Sequence, residues 1–121
     1  MKTDPVKSAP LSSATLHILL ALAGGNLHGY GIIKEVVRSS NGHYRLGPGT
    51  LYDNLKKLMT AGLVADAPPA KGKSAAMKED DRRLYVLTNE GKNALAAEVE
   101  RLQSVVSKAR LRLQEARSGK A

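Results

Sequence analysis

Gly47-Pro48-Gly49-Thr50-Leu51-Tyr52-Asp53-Asn54-Leu55-Lys56-Lys57-Leu58-Met59-Thr60-Ala61-Gly62-Leu63 reads as one helix with both ends marked. Pro48 stands near the first helical position, where its fixed φ suits a helix and its missing N–H costs nothing. Gly62 can take the left-handed conformation that closes a helix. At 100° per residue Leu51, Leu55, Leu58 and Gly62 share a narrow arc, with Met59 and Tyr52 on its edge. Thr50, Asp53, Lys56, Lys57 and Thr60 project the other way. Such a helix packs with its aliphatic side and leaves a short-chained, partly basic face outside.

Working upstream, Ser39-Ser40-Asn41-Gly42 is a cluster of cap and turn residues. It ends a second helix predicted from His28 or Gly29 through Arg38, with Ile32, Ile33, Val36 and Val37 on one face. Before it, Ser12 or Ser13 caps a helix running to about Ala23, which Gly24-Gly25 stops. Residues 1–10 hold two prolines and no apolar period, and read as a flexible arm. Working downstream, 63–67 and 83–87 read as two short strands around a long polar loop, 68–82, which makes a protruding hairpin. Thr88 then caps a last helix, with Glu90 in its first turn where the macrodipole favours an acid. Leu95, Val99, Leu102, Val106, Ala109, Leu113 and Ala116 recur in that helix with steps of four and three, a heptad seam for packing lengthwise on another helix. The seam from Leu95 to Leu113, together with Leu16 and Leu20 of the first helix, supplies the candidate dimer interface. The division is a flexible arm over 1–10, a winged helix-turn-helix domain over 11–91, and a dimerisation helix with basic tail over 92–121.

Composition narrows the function. The chain has 121 residues, 19 Lys and Arg against 11 Asp and Glu, a net charge of +8, and no cysteine. One modest, aliphatic core is what this length supports. Without cysteine there are no disulfides, thiolate metal sites or cysteine nucleophiles, and a chain this basic points to a polyanionic partner. His17, His28 and His43 show no metal-ligand spacing, and the glycines match neither a P-loop nor a dinucleotide fingerprint. No nucleophile elbow accompanies any serine. Neither an enzyme, a cofactor nor a metal is expected. The apolar stretch 16–23 follows Lys2 and Lys7 like a signal sequence, but His17 interrupts it and its spacing is helical. No run approaches a membrane span, so a cytoplasmic protein without membrane contact is expected.

Three helices with a tight turn between the second and third, followed by a hairpin and a long helix, make a mainly α protein with a small β-hairpin, a winged helix-turn-helix whose third helix can enter the DNA major groove. The expected partner is double-stranded DNA. Thr50, Asp53, Asn54 and Lys57 near the start of that helix are the base-reading candidates, with Gly49 among the DNA-binding residues beside them; Asn can bond adenine, Lys guanine, and Asp cytosine. Arg45, Lys56, Lys71, Lys73, Arg82 and Arg83 are phosphate candidates, with the hydroxyls of Tyr44 and Tyr52 beside them. Tyr30, Tyr52 and Tyr85 are expected in core or rim packing. Charge is unevenly shared: residues 61–92 hold six basic against five acidic groups, whereas residues 93–121 hold six against three.

Leu27-His28-Gly29-Tyr30-Gly31-Ile32, the 46–55 block, Gly62-Leu63-Val64 and the 83–91 block together resemble the PadR family of transcriptional regulators, over roughly residues 11–102. The resemblance implies a homodimeric winged-helix repressor that binds an inverted repeat through dimers made by the last helix. In many members a small-molecule or stress signal releases the DNA. With one helix after the wing, the chain resembles the compact branch of the family. It departs in two respects. The loop 68–82 is long and carries Glu79-Asp80-Asp81, which oppose phosphate, and the lack of Trp and Phe disfavours a pocket that stacks planar drugs. Asp53 and the acidic loop also motivate an alternative, a winged-helix protein-interaction adapter that does not bind DNA specifically.

Overall fold

Ser12 caps the first helix: its hydroxyl accepts the Thr15 N–H at 3.2 Å and starts helix α1, Ser13–Ala23. The computed structural model describes residues 10–67 and 83–119. After α1 come a two-residue strand β1, Leu27–His28, helix α2, Gly29–Ser39, and helix α3, Pro48–Thr60. Strands β2, Val64–Ala67, and β3, Leu84–Leu87, follow, and helix α4, Asn89–Arg117, completes the fold. Most of residues 1–10 and the loop 68–82 lie outside the described residues, and with them Lys71, Lys73 and Arg82.

Local chemistry sets the helix ends. At α2, Asn41 (φ 53°) and Gly42 (φ 78°) turn left-handed, and their N–H groups return to the Arg38 and Val37 carbonyls. The same closure ends α3, where Gly62 (φ 80°) and Leu63 donate to Met59 and Leu58. Thr88 works in two directions: its hydroxyl accepts the Gly91 N–H at 2.9 Å as the cap of α4, and donates to the Gly62 carbonyl at 2.7 Å. One residue thereby ties the start of α4 to the end of α3.

Helix α1 is the central element and packs against α2, α3, α4 and β3. The core joins its Ile18, Leu19 and Leu22 to Ile32 and Val36 of α2, to Leu51, Leu55 and Leu58 of α3, and to Leu63, Val64, Tyr85 and Leu87 around the sheet. At residues 28–33 α2 alternates core and solvent: Gly29 and Ile32 are buried, whereas Tyr30, expected in core or rim packing, is 66% exposed.

The fold class is as expected, mainly α with the antiparallel β2–β3 pair, and three details differ. The hairpin is part of a three-stranded sheet of order β1-β3-β2, with Leu27 opposite Tyr85 and Val64 opposite Leu87. The link between α2 and α3 is not the tight turn expected but residues 40–47, held by Ser40, whose hydroxyl accepts the Tyr44 N–H at 3.0 Å and donates to the Tyr44 carbonyl at 3.1 Å. Helix α4 runs unbroken across position 91 for 29 residues, about 43 Å at 1.5 Å per residue.

Candidate nucleic-acid interface

Helix α3 presents the face that its pattern predicts. Leu51, Leu55 and Leu58 are buried, and Gly49, Thr50, Asp53, Lys56 and Lys57 are exposed, with Arg45 exposed in the segment before them. Four polar side chains on two adjacent turns, Thr50, Asp53, Lys56 and Lys57, thus project from one rigid element. Asn54 is half-buried, and its amide donates to the Thr50 carbonyl of its own helix at 2.8 Å. Its Oδ1 and second N–H are the groups that remain to meet a base edge.

Three of the expected phosphate candidates have neighbours within the chain. Tyr44 stacks on His17 of α1, ring centroids 4.2 Å apart and planes 10° from parallel, so its ring fastens the α2–α3 link to α1. Tyr52 is half-buried, with its hydroxyl where a side chain on Gly29 would begin; the missing Cβ lets α3 lie against the first turn of α2. Arg83 pairs with Asp66 of β2 at 3.2 Å, both about half-exposed. An acid of the sheet itself therefore faces the described arginine of the wing. The histidines take local roles: His17 Nδ1 lies 2.8 Å from the Ser13 carbonyl, and His43 Nδ1 lies 3.0 Å from that of Ser40. Among the described residues no three His, Asp or Glu side chains gather as metal ligands, and no helix is long and apolar enough to cross a membrane.

The long helix splits into two environments. Its first half is covered by the domain, with Gly91, Ala94 and Glu98 buried. Glu98 is 4% exposed, an acid that sequence reasoning passed over. It receives two hydrogen bonds from Arg101, at 3.0 and 2.6 Å, and the backbone N–H of Leu11. The Arg101 bonds hold its carboxyl below the usual carboxylate range; burial opposes this, and the Leu11 N–H adds to it. Beyond Leu102 no described residue of the chain covers the helix. Of the candidate interface residues, Leu16, Leu95 and Leu102 are half-buried, whereas Leu20, Val99, Val106, Ala109 and Leu113 are exposed.

The profile of the PadR-like family of transcriptional regulators matches residues 18–97, from α1 into α4. The chain belongs to that family. Among solved structures, a PadR family transcription regulator from hypervirulent Clostridium difficile is similar over 84% of this chain and 99% of its own, at 25% identity and a TM-score of 0.69. A transcriptional regulator from Clostridium thermocellum shares the fold at 22% identity, over 83% of this chain and 95% of its own, with a TM-score of 0.65. Bacillus subtilis PadR, solved in complex with operator DNA, is 25% identical and matches 72% of this chain and 46% of its own, with a TM-score of 0.59. No curated protein sequence matches this one. Within this PadR-like chain, α2, α3 and the sheet make up the winged helix-turn-helix.

Proposed function

We propose that the protein is a sequence-specific DNA-binding repressor that acts as a homodimer on an inverted repeat and is released by a small-molecule or stress signal. The observation that carries this reading is the exposed face of α3: Thr50, Asp53 and Lys57 stand on a helix whose opposite side is locked into the core. The operator complex of Bacillus subtilis PadR supports it. Base reading falls to Thr50, Asp53, Asn54 and Lys57, and phosphate contact to Arg45 and Lys56. Lys71, Lys73 and Arg82 extend that contact from the loop. Dimerisation is supported by the seam of α4, since Val106 and Leu113 are exposed among the described residues and a second chain would bury them. Two copies of α3 related by a two-fold axis would read half-sites about 10 bp apart or a multiple of it. Such a protein works in the cytoplasm.

An electrophoretic shift on the DNA upstream of its own gene tests the reading. Retention that survives a shuffled competitor is expected; equal loss to shuffled and native competitor would contradict specific reading. A stoichiometric protein partner without salt-dependent DNA affinity would favour the adapter.

A further inference from the structure

Two contacts converge on the start of α2. His28 of β1 pairs with Leu84 of β3, and Gly29 lies under the Tyr52 hydroxyl of α3. The sheet and α3, the helix assigned to DNA above, therefore meet at residues 28 and 29. The next side chain, Tyr30, points outward and is more exposed than Leu20, Val99, Val105, Val106, Leu111 or Leu113. One turn further, the Lys34 Nζ sits 5.4 Å from the Tyr30 ring centroid. A hydroxyl and an ammonium thus occupy one patch beside the reading helix. Packing does not account for it: folding ordinarily rewards burial of an aromatic ring, and a cation over an exposed ring contributes little.

We propose that Tyr30 and Lys34 form a site for backbone phosphate at the edge of each half-site, an inference that rests on the DNA-binding reading above. The Tyr30 hydroxyl donates to a phosphodiester oxygen, and the Lys34 ammonium, steadied over the ring, neutralises the same phosphate or its neighbour. In helix-turn-helix proteins the helix before the reading helix crosses the DNA backbone, which is where α2 stands relative to α3. The other cation of α2, Arg38, is held by Glu35 through two hydrogen bonds, and Arg83 of the wing faces Asp66. With residues 61–92 nearly neutral, Lys34 supplies positive charge that the wing lacks. Phosphate contacts set register without reading sequence, so the site adds affinity to every duplex equally.

The test uses the full chain, with Lys34→Gln and Tyr30→Phe, on an upstream duplex and on a scrambled one of the same length, between about 50 and 200 mM salt. Lys34→Gln should lower the slope of log affinity against log salt by about 0.9, one phosphate, on both duplexes. Tyr30→Phe should weaken both by about fivefold, one hydrogen bond, and leave the slope unchanged. Both side chains are exposed, so thermal unfolding should match the wild type. An unchanged slope in the first variant with unchanged affinity in the second would overturn the site, as would an effect confined to the upstream duplex, which would mean base contact. Failure of the DNA-binding reading would show differently, as no salt-dependent affinity in the wild type, and would remove this site with it.

Discussion

The two halves of α4 carry one seam and meet different surroundings. Up to Leu102 the helix lies on its own domain, and small size decides the fit: Gly91 and Ala94 are buried, and a Cβ on Gly91 would overlap the Leu63 carbonyl and the Leu87 side chain. From Gln103 to Gly119 every residue is exposed, although Val106, Ala109 and Leu113 keep the register of Leu95 and Leu102. A seam that outruns the domain it starts on is evidence of a second surface to cover it. The near half is thus constrained by close approach within one chain, and in the proposed dimer the far half is covered by a second one.

The strongest way to break the near half is Gly91→Ala. A Cβ there overlaps the Leu63 backbone oxygen, which cannot swing aside as a side-chain tip would. A loss of about 2–3 kcal/mol is expected, lowering Tm by roughly 10 °C or more; an unchanged Tm would refute the close packing. The far half should respond in the opposite manner. Val106→Glu with Leu113→Glu should leave the domain folded, because both side chains are exposed within the chain. The mass by light scattering should fall from two chains to one, and affinity for a two-half-site duplex should drop about 100-fold as the second site becomes independent. A mass that does not change would place the dimer elsewhere.

A smaller effect sharpens the boundary between the halves. Glu98 has its pKa held down by Arg101, so its stabilisation is complete above the ordinary carboxylate value of about 4.3 and disappears as pH falls through the lowered value. Glu98→Gln keeps an acceptor for the Leu11 N–H but loses the charged pair, whose Arg101 side is 43% exposed. The expected cost near neutral pH is about 1 kcal/mol, screened by that exposure. Wild-type and variant denaturation midpoints should converge as acid protonates the carboxylate; a gap that stays constant to pH ~3, below the ordinary value, would show that the ion pair is not its source.

What could be read from the sequence follows from the range of the interactions. The ends of α3 were legible because Pro48 and Gly62 act through their own backbone, and Thr88 announced α4 for the same reason. The exposed face of α3 was legible from its 3.6-residue period. Strand β1 was not, since two residues carry no alternation and its partner Tyr85 lies far along the chain from Leu27. Glu98 reads as one more surface acid until the segment before α1 returns over it. Tyr52 and Arg83 were placed among the phosphate contacts by residue type, but Gly29 and Asp66, their partners in space, lie far off in sequence. Tyr30 shows the converse, an aromatic assigned to packing that the turn of α2 leaves in solvent.

Hydroxyl-radical footprinting of the wild-type protein on its upstream DNA tests the central claim most directly. Two protected patches related by a dyad, with centres about 10 bp apart or a multiple of it, are predicted for two copies of α3 in successive grooves, and Thr50→Ala should blur both patches together. Uniform weak protection along the duplex, or none at a concentration that protects a scrambled control equally, would contradict the account.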